Sequence, residues 1–180
     1  MSQNLSGATF NSSATSVFIS ESDVYVSGYI YNAKYRWIAT IWKNGELQYL
    51  LNKDGDYSSF ATSVFVSDND VYVVGYENIE SWRNIAILWK NGERQNLTDG
   101  STQIYPSSVF VSDNDVYVVI TEDVKNEDKG KLPWRNGNLW KNGEILNFSN
   151  GFYETAVSSL YVVDSNVYVA GNILERKCCK

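Results

Sequence analysis

The chain contains no histidine. That removes the side chain used most often as a general base and as a metal ligand near neutral pH. Its only two cysteines, Cys178 and Cys179, are adjacent, whereas a disulfide framework needs spaced ones. The net charge is −6 and no run of Lys and Arg occurs. This argues against nucleic acid and anionic membrane surfaces, whose phosphates require clustered cations. No apolar run approaches the roughly 20 residues of a membrane span. The opening Met1–Gly7 lacks the charged and apolar regions of a signal peptide. The expectation is a soluble, cytoplasmic protein, although a piece trimmed from a secreted parent would read the same way. There is no Gly-x-Ser-x-Gly, no phosphate-binding glycine loop and no zinc-ligand spacing. Neither an enzyme nor a cofactor or metal is expected.

What is present in quantity is Tyr (13) and Trp (6), with only two prolines. Val, Tyr, Trp and Phe favour pleated, half-buried surfaces, so the composition points to an all-β chain. A length of 180 residues suffices for one domain, 1–180, with a sizeable core.

The chain is organised around one stretch. Ser63 to Val74, Ser-Val-Phe-Val-Ser-Asp-Asn-Asp-Val-Tyr-Val-Val, returns letter for letter at Ser108 to Val119. Looser copies begin at Ser16 and Ser159. Trp-Lys-Asn-Gly then follows at Trp42, Trp89 and Trp140. Each repeat reads as four short segments. In the first, Val64 and Val66 share one face and Phe65 the other, the period-2 pattern of a strand. The expected strands are 16–20, 24–28, 38–43 and 46–50, with their repeats. Asn-Gly between the last two tolerates the positive φ of a two-residue hairpin turn. Ser-Asp-Asn-Asp and its variants give Asx-rich turns between the first two.

Val24, Val71, Val116 and Val167 are spaced by 47, 45 and 51 residues. Four strands at a period of 40–50 residues signal β-propeller blades. The expectation is therefore about four antiparallel blades of four strands, in repeats of approximately 2–45, 46–92, 93–143 and 144–180. The extra residues of the third repeat fall between Glu122 and Trp134, as a loop insertion. Ser2–Leu5 matches Arg94–Leu97, so it reads as an outer strand with no partner segment before it. The last blade is incomplete after Gly171. Two closures follow: the N-terminal strand joins the last blade of its own chain, or two chains complete each other as a homodimer of about eight blades. The second is favoured, because four blades must pack steeply around a narrow axis.

The order of an inner strand, a Tyr-Val-x-Gly strand, a Trp strand and an outer strand resembles kelch-type β-propellers. It is closer still to bacterial and viral propellers with Trp-Lys-Asn-Gly repeats. The resemblance covers essentially the whole chain. It departs from kelch at the double glycine, since Gly28 precedes Tyr29, Gly75 precedes Tyr76, and Ile120-Thr121 stands in the third repeat. The resemblance implies the fold and a binding role, and no chemistry.

Trp42, Trp89 and Trp140 hold one place in each repeat and are expected to fill the core. A second set, Trp37, Trp82 and Trp134, sits beside Arg36, Arg83 and Arg135, between the second and third segments. Tyr57, Tyr105 and Tyr153 precede the first segment, and in a propeller these connections open on the same face. Flat rings among polar groups suit a sugar- or peptide-binding surface. The same rings could instead cap the sheet edges under their arginines. The expected function is a non-catalytic binding or scaffolding module for a protein or other ligand. A lectin-like carbohydrate binder is the alternative. Third comes a glycosidase-type carboxylate pair drawn from Glu77, Glu80, Asp54 and Asp56. Asp68-Asn69-Asp70 and Asp113-Asn114-Asp115 supply too few oxygens for a calcium loop and read as turns.

Overall fold

Every described apolar run with period-2 patterning forms a strand. The computed structural model describes residues 11–32, 34, 36–50, 57–80, 83–124, 134–148 and 153–175. In chain order the strands are β1 (Ser12–Ser20), β2 (Asp23–Tyr31), β3 (Trp37–Lys43), β4 (Glu46–Tyr49), β5 (Ser59–Ser67), β6 (Asp70–Glu80) and β7 (Arg83–Lys90). Then follow β8 (Glu93–Asn96), β9 (Gln103–Ser112), β10 (Asp115–Val124), β11 (Trp134–Lys141), β12 (Glu144–Asn147), β13 (Tyr153–Val163) and β14 (Asn166–Glu175). Each expected strand that falls within the described residues is present, and the first two of each repeat run longer than the five residues expected. No helix occurs among the described residues. The expected outer strand Ser2–Leu5 lies outside them.

The strands form antiparallel meanders. β1 to β4, β5 to β8 and β9 to β12 are four-stranded sheets, and β13 pairs with β14 alone. The sheets thus span 12–49, 59–96, 103–147 and 153–175. The two-residue Asn-Gly turns take left-handed backbone at both positions, as at Asn44 (φ 52°) and Gly45 (φ 86°). This is the turn whose twist matches paired strands. The Asp-Asn-Asp runs do the same: Asp68 (φ 50°) and Asn69 (φ 69°) make the turn, and Asp70 opens β6.

The sheets stack in sequence. β5 lies across β1, β2 and β3; β9 lies across β5, β6 and β7; β13 lies across β9, β10 and β11. Three apolar cores fill the three gaps. Between the first and second sheets, Tyr25, Ala39 and Ile41 meet Ala61, Val64, Val66, Val73 and Trp89. Between the next two, Tyr72, Val74 and Leu88 meet Val109, Val111, Val118 and Trp140. In the last, Tyr117, Val119 and Leu139 meet Val157, Leu160 and Val162. Each sheet therefore has a leading face, bearing an aliphatic pair of its first strand (Val64 and Val66 in the second sheet, Leu160 and Val162 in the last), and a trailing face, bearing the Tyr of its second.

A bulge in the first strand of each sheet marks the joint. The register slips between Ala14 and Ser16, between Ala61 and Ser63, and between Val157 and Ser159. The residue at the bulge ties its sheet to the next. Thr15 Oγ1 donates to the Ala61 carbonyl (2.9 Å), Thr62 Oγ1 to that of Pro106 (2.8 Å) and Ser107 Oγ to that of Val157 (2.8 Å).

None of the sheets closes on itself, and the outer faces of the stack are open. Val17 and Ile19, on the leading face of the first sheet, are 62 % and 66 % exposed. Tyr161 and Tyr168, on the trailing face of the last, are 60 % and 58 % exposed.

Candidate functional site

The Trp-Lys-Asn-Gly signature is a latch. Asn91 Oδ1 accepts from the Val71 amide (2.8 Å), and its Nδ2 donates to Asp70 Oδ1 (2.8 Å). The other oxygen of Asp70 is 2.6 Å from Lys90 Nζ, which lies over the Tyr72 ring at 5.1 Å. Asp23, Lys43, Asn44 and Tyr25 repeat the arrangement in the first sheet. Asp115, Lys141, Asn142 and Tyr117 repeat it in the third. One function of the motif is thus to pin the turn after the third strand to the start of the second. In the fourth sheet Asn166 replaces the aspartate, and its amide turns back to the Asp164 carbonyl. Both oxygens of Asp70 are engaged within the latch. Among the described residues no three His, Cys, Asp or Glu side chains gather as a metal site.

Hydrogen bonds from Lys90 and Asn91 hold the Asp70 carboxyl below its ordinary 3.8, and the bond to Asp23 pushes Lys43 up to about 12. A depressed acid contributes stability above its unfolded pKa, and that contribution disappears as pH falls through the folded value. The raised lysine contributes below its unfolded pKa and loses that contribution as pH rises through about 12. Asp70→Asn should therefore lower the urea midpoint at pH 5 to 8, and the gap to the parent should narrow once pH falls below 3.8 and close as it passes the lowered folded value, where the parent's carboxyl is protonated. An undiminished gap at pH 2.5 would show that the charge is irrelevant.

The second and third strands place the arginine-flanked tryptophans. Register pairs Tyr31 with Trp37, Val124 with Trp134, Asp123 with Arg135, and Glu80 with Arg83. Tyr105 faces Thr121, and Tyr153 faces Glu175. All these positions lie where first strands start, second strands end and third strands start, so they share one end of their sheets. Trp37, Arg83, Trp134 and Arg135 stand at strand starts rather than in the connections. Trp82 lies outside the described residues. Tyr57 and Tyr153 are exposed, while Arg36, Trp37, Arg83, Tyr105 and Trp134 are half-buried. Arg135 is exposed and pairs with Asp123 (Nε to Oδ1, 3.3 Å).

A row of rings links two of these residues across three sheets. Trp37 meets Tyr31 at 4.9 Å and Tyr29 edge-on at 5.1 Å. Tyr29 meets Phe60 at 5.0 Å, Phe60 stacks on Tyr76 at 4.9 Å, and Tyr76 meets Tyr105 edge-on at 5.7 Å. Burial, then the neighbouring phenols Tyr105 and Tyr29, push the Tyr76 hydroxyl up. Burial and the Asp123 carboxylate do the same for Tyr105, against Arg135 and the Gln103 amide bonded to its hydroxyl. The row stops at the third sheet because Thr121 takes the place of Tyr76, with its hydroxyl bonded to the Val157 amide (3.0 Å). Tyr29, Phe60 and Tyr76 were not singled out by sequence. The available signal was the Gly-Tyr pair at one repeat position, which first reads as a departure from kelch.

Polar groups line the same end. Both oxygens of the buried Glu77 are engaged by Arg94, at 2.9 and 2.7 Å, so Glu77 is a structural ion pair rather than a free acid. Asp54 and Asp56 lie outside the described residues, as does the side chain of Glu80. In the third sheet Ile145 replaces Arg94 beside the tryptophan, in the same register. Glu122, the counterpart of Glu77, instead accepts from Thr102 Oγ1 (2.9 Å) and Asn138 Nδ2 (3.3 Å). The change opens a cleft of about 350 Å3 between the second and third sheets, lined among others by Thr98, Asp99, Ser101, Thr102, Glu122 and Asn138. Comparison with protein-family models and with curated proteins gives no match.

Proposed function

We propose that the chain is a β-propeller module of kelch-like strand order whose ring-lined end binds a ligand without chemistry. The row from Trp37 to Tyr105 carries this reading. Half-buried aromatic rings that run across sheet boundaries offer rigid apolar area at low entropic cost, and interfaces draw their binding energy from such anchors. Asp123, Arg135 and Gln103 supply polar groups beside them. A protein or peptide is the first expected ligand class.

The cleft between the second and third sheets favours carbohydrate as the second. Its hydroxyls, amide and carboxylates match the donors and acceptors of a sugar. A glycan array distinguishes the two, since array binding lost in both Trp37→Ala and Glu122→Gln assigns the end to sugars. Acrylamide should quench Trp37 more readily than the buried tryptophans. Quenching of a Trp37→Phe variant that matches the parent would show that this ring is capped and not presented.

A further inference from the structure

The three sheet-to-sheet joints are copies of one interface, and the outer faces of the stack are its two unmatched halves. At each joint an apolar pair of a leading face (Val64 and Val66, Val109 and Val111, Leu160 and Val162) packs on the Tyr of the preceding trailing face. Val17 and Ile19 occupy the places of Val64 and Val66, but no sheet covers them. Tyr168 occupies the place of Tyr25, Tyr72 and Tyr117, which are 7 %, 7 % and 5 % exposed, yet it is 58 % exposed. The polar groups match as well. The bulge hydroxyls of Thr15, Thr62 and Ser107 reach the next sheet's carbonyl. Ser158, at the bulge of the last sheet, is exposed, and so is Ala14, whose carbonyl stands where those of Ala61, Pro106 and Val157 accept. Ser63 and Ser108 accept from the amides of Val109 (3.3 Å) and Leu160 (3.4 Å), so Ser159 is placed to accept from Val17. A second row of rings tells the same story. Phe18, Phe65, Phe110 and Tyr161 follow one another at 4.7, 4.5 and 5.0 Å, and Tyr161 ends the row uncovered.

We infer that the leading face of the first sheet docks on the trailing face of the last sheet of a second copy of this chain. Continuity with the three internal joints identifies the occupant, because each outer face is one half of a joint this chain already makes three times, and within one chain both halves stay exposed. The contact is head-to-tail, so it must either close or propagate. Two copies carry twice the chain's sheets, within the range of known closed rings, and closure covers both faces of both copies. The aromatic binding end is separate from these faces, so either proposal can fail without the other.

Light scattering on the 180-residue chain at micromolar concentration should give twice the 20.4 kDa of one chain. Val17→Asp and Tyr168→Asp, each at an exposed position, should keep the parent's circular dichroism and reduce the mass to that of one chain. An equimolar mixture of the two variants should recover pairs, since each contributes one intact face. Unfolded variants could not do so. An assembly of any size lost in both variants and recovered on mixing upholds the head-to-tail contact. A parent of one-chain mass, loss in only one variant, or no recovery on mixing overturns it.

Discussion

Replacing Trp89 by alanine should lower the stability by about 3–5 kcal/mol, the range for truncating a large buried aromatic side chain. Trp89 has no exposed surface and sits in the gap between the first two sheets with Tyr25, Ile41, Val64, Val66, Val73 and Ile87. Residues of one sheet pack on residues of another there, so the void cannot collapse without separating the sheets. The indole Nε1 has no acceptor among the described residues. Trp89→Phe should therefore cost much less than alanine, because no hydrogen bond is lost and most of the volume stays. Trp37→Ala, at a half-buried strand end, should also cost far less than Trp89→Ala. Urea unfolding of the three variants checks the order. Equal midpoints for Trp89→Ala and Trp37→Ala would mean that the repeated tryptophan is not the filler of the joint.

The strands and turns were legible because each rests on a local signal. Period 2 placed Val64 and Val66 together, and Asn-Gly fixed the hairpin at Asn91 and Gly92. The buried role of Trp42, Trp89 and Trp140 followed from repetition alone. Contacts made across sheets were not legible. Arg94 and Glu77 are 17 residues apart, and nothing local says that their counterparts Ile145 and Glu122 leave a cleft. The latch was hidden for a different reason. Its Asp lies in one signature and its Lys and Asn in another, and only register shows that the two meet. Asn166 in the fourth repeat was the available hint, since it departs from the Asp of the other three repeats. The row of rings was missed because Tyr29, Phe60 and Tyr76 lie within strands, while the search for a binding surface looked to the connections.

Gly75→Ala should cost about 3 kcal/mol, at the upper end of ordinary overpacking. A Cβ on Gly75 would lie 1.9 Å from the Phe60 carbonyl oxygen and 2.9 Å from Ala61 Cα. Both are backbone atoms, so no side chain can swing aside. If the Phe60–Ala61 segment moved instead, the hydrogen bond from Thr15 to the Ala61 carbonyl and the stacking of Phe60 on Tyr76 would move with it. Gly28 and Gly171 meet the same obstacle at 2.0 and 2.2 Å. The third sheet shows the way around it. There Ile120 faces Pro106, in the place of Gly75 facing Ala61, and Ser107 still bonds to the next sheet. Gly75→Ile should therefore be at least as damaging as Gly75→Ala when made alone. Combined with Ala61→Pro, it should regain at least about 1 kcal/mol relative to the sum of the two single changes, the coupling expected of residues in contact. A double-mutant cycle in urea measures this directly. Additive losses would mean that the third sheet accommodates Ile120 through something other than its proline partner.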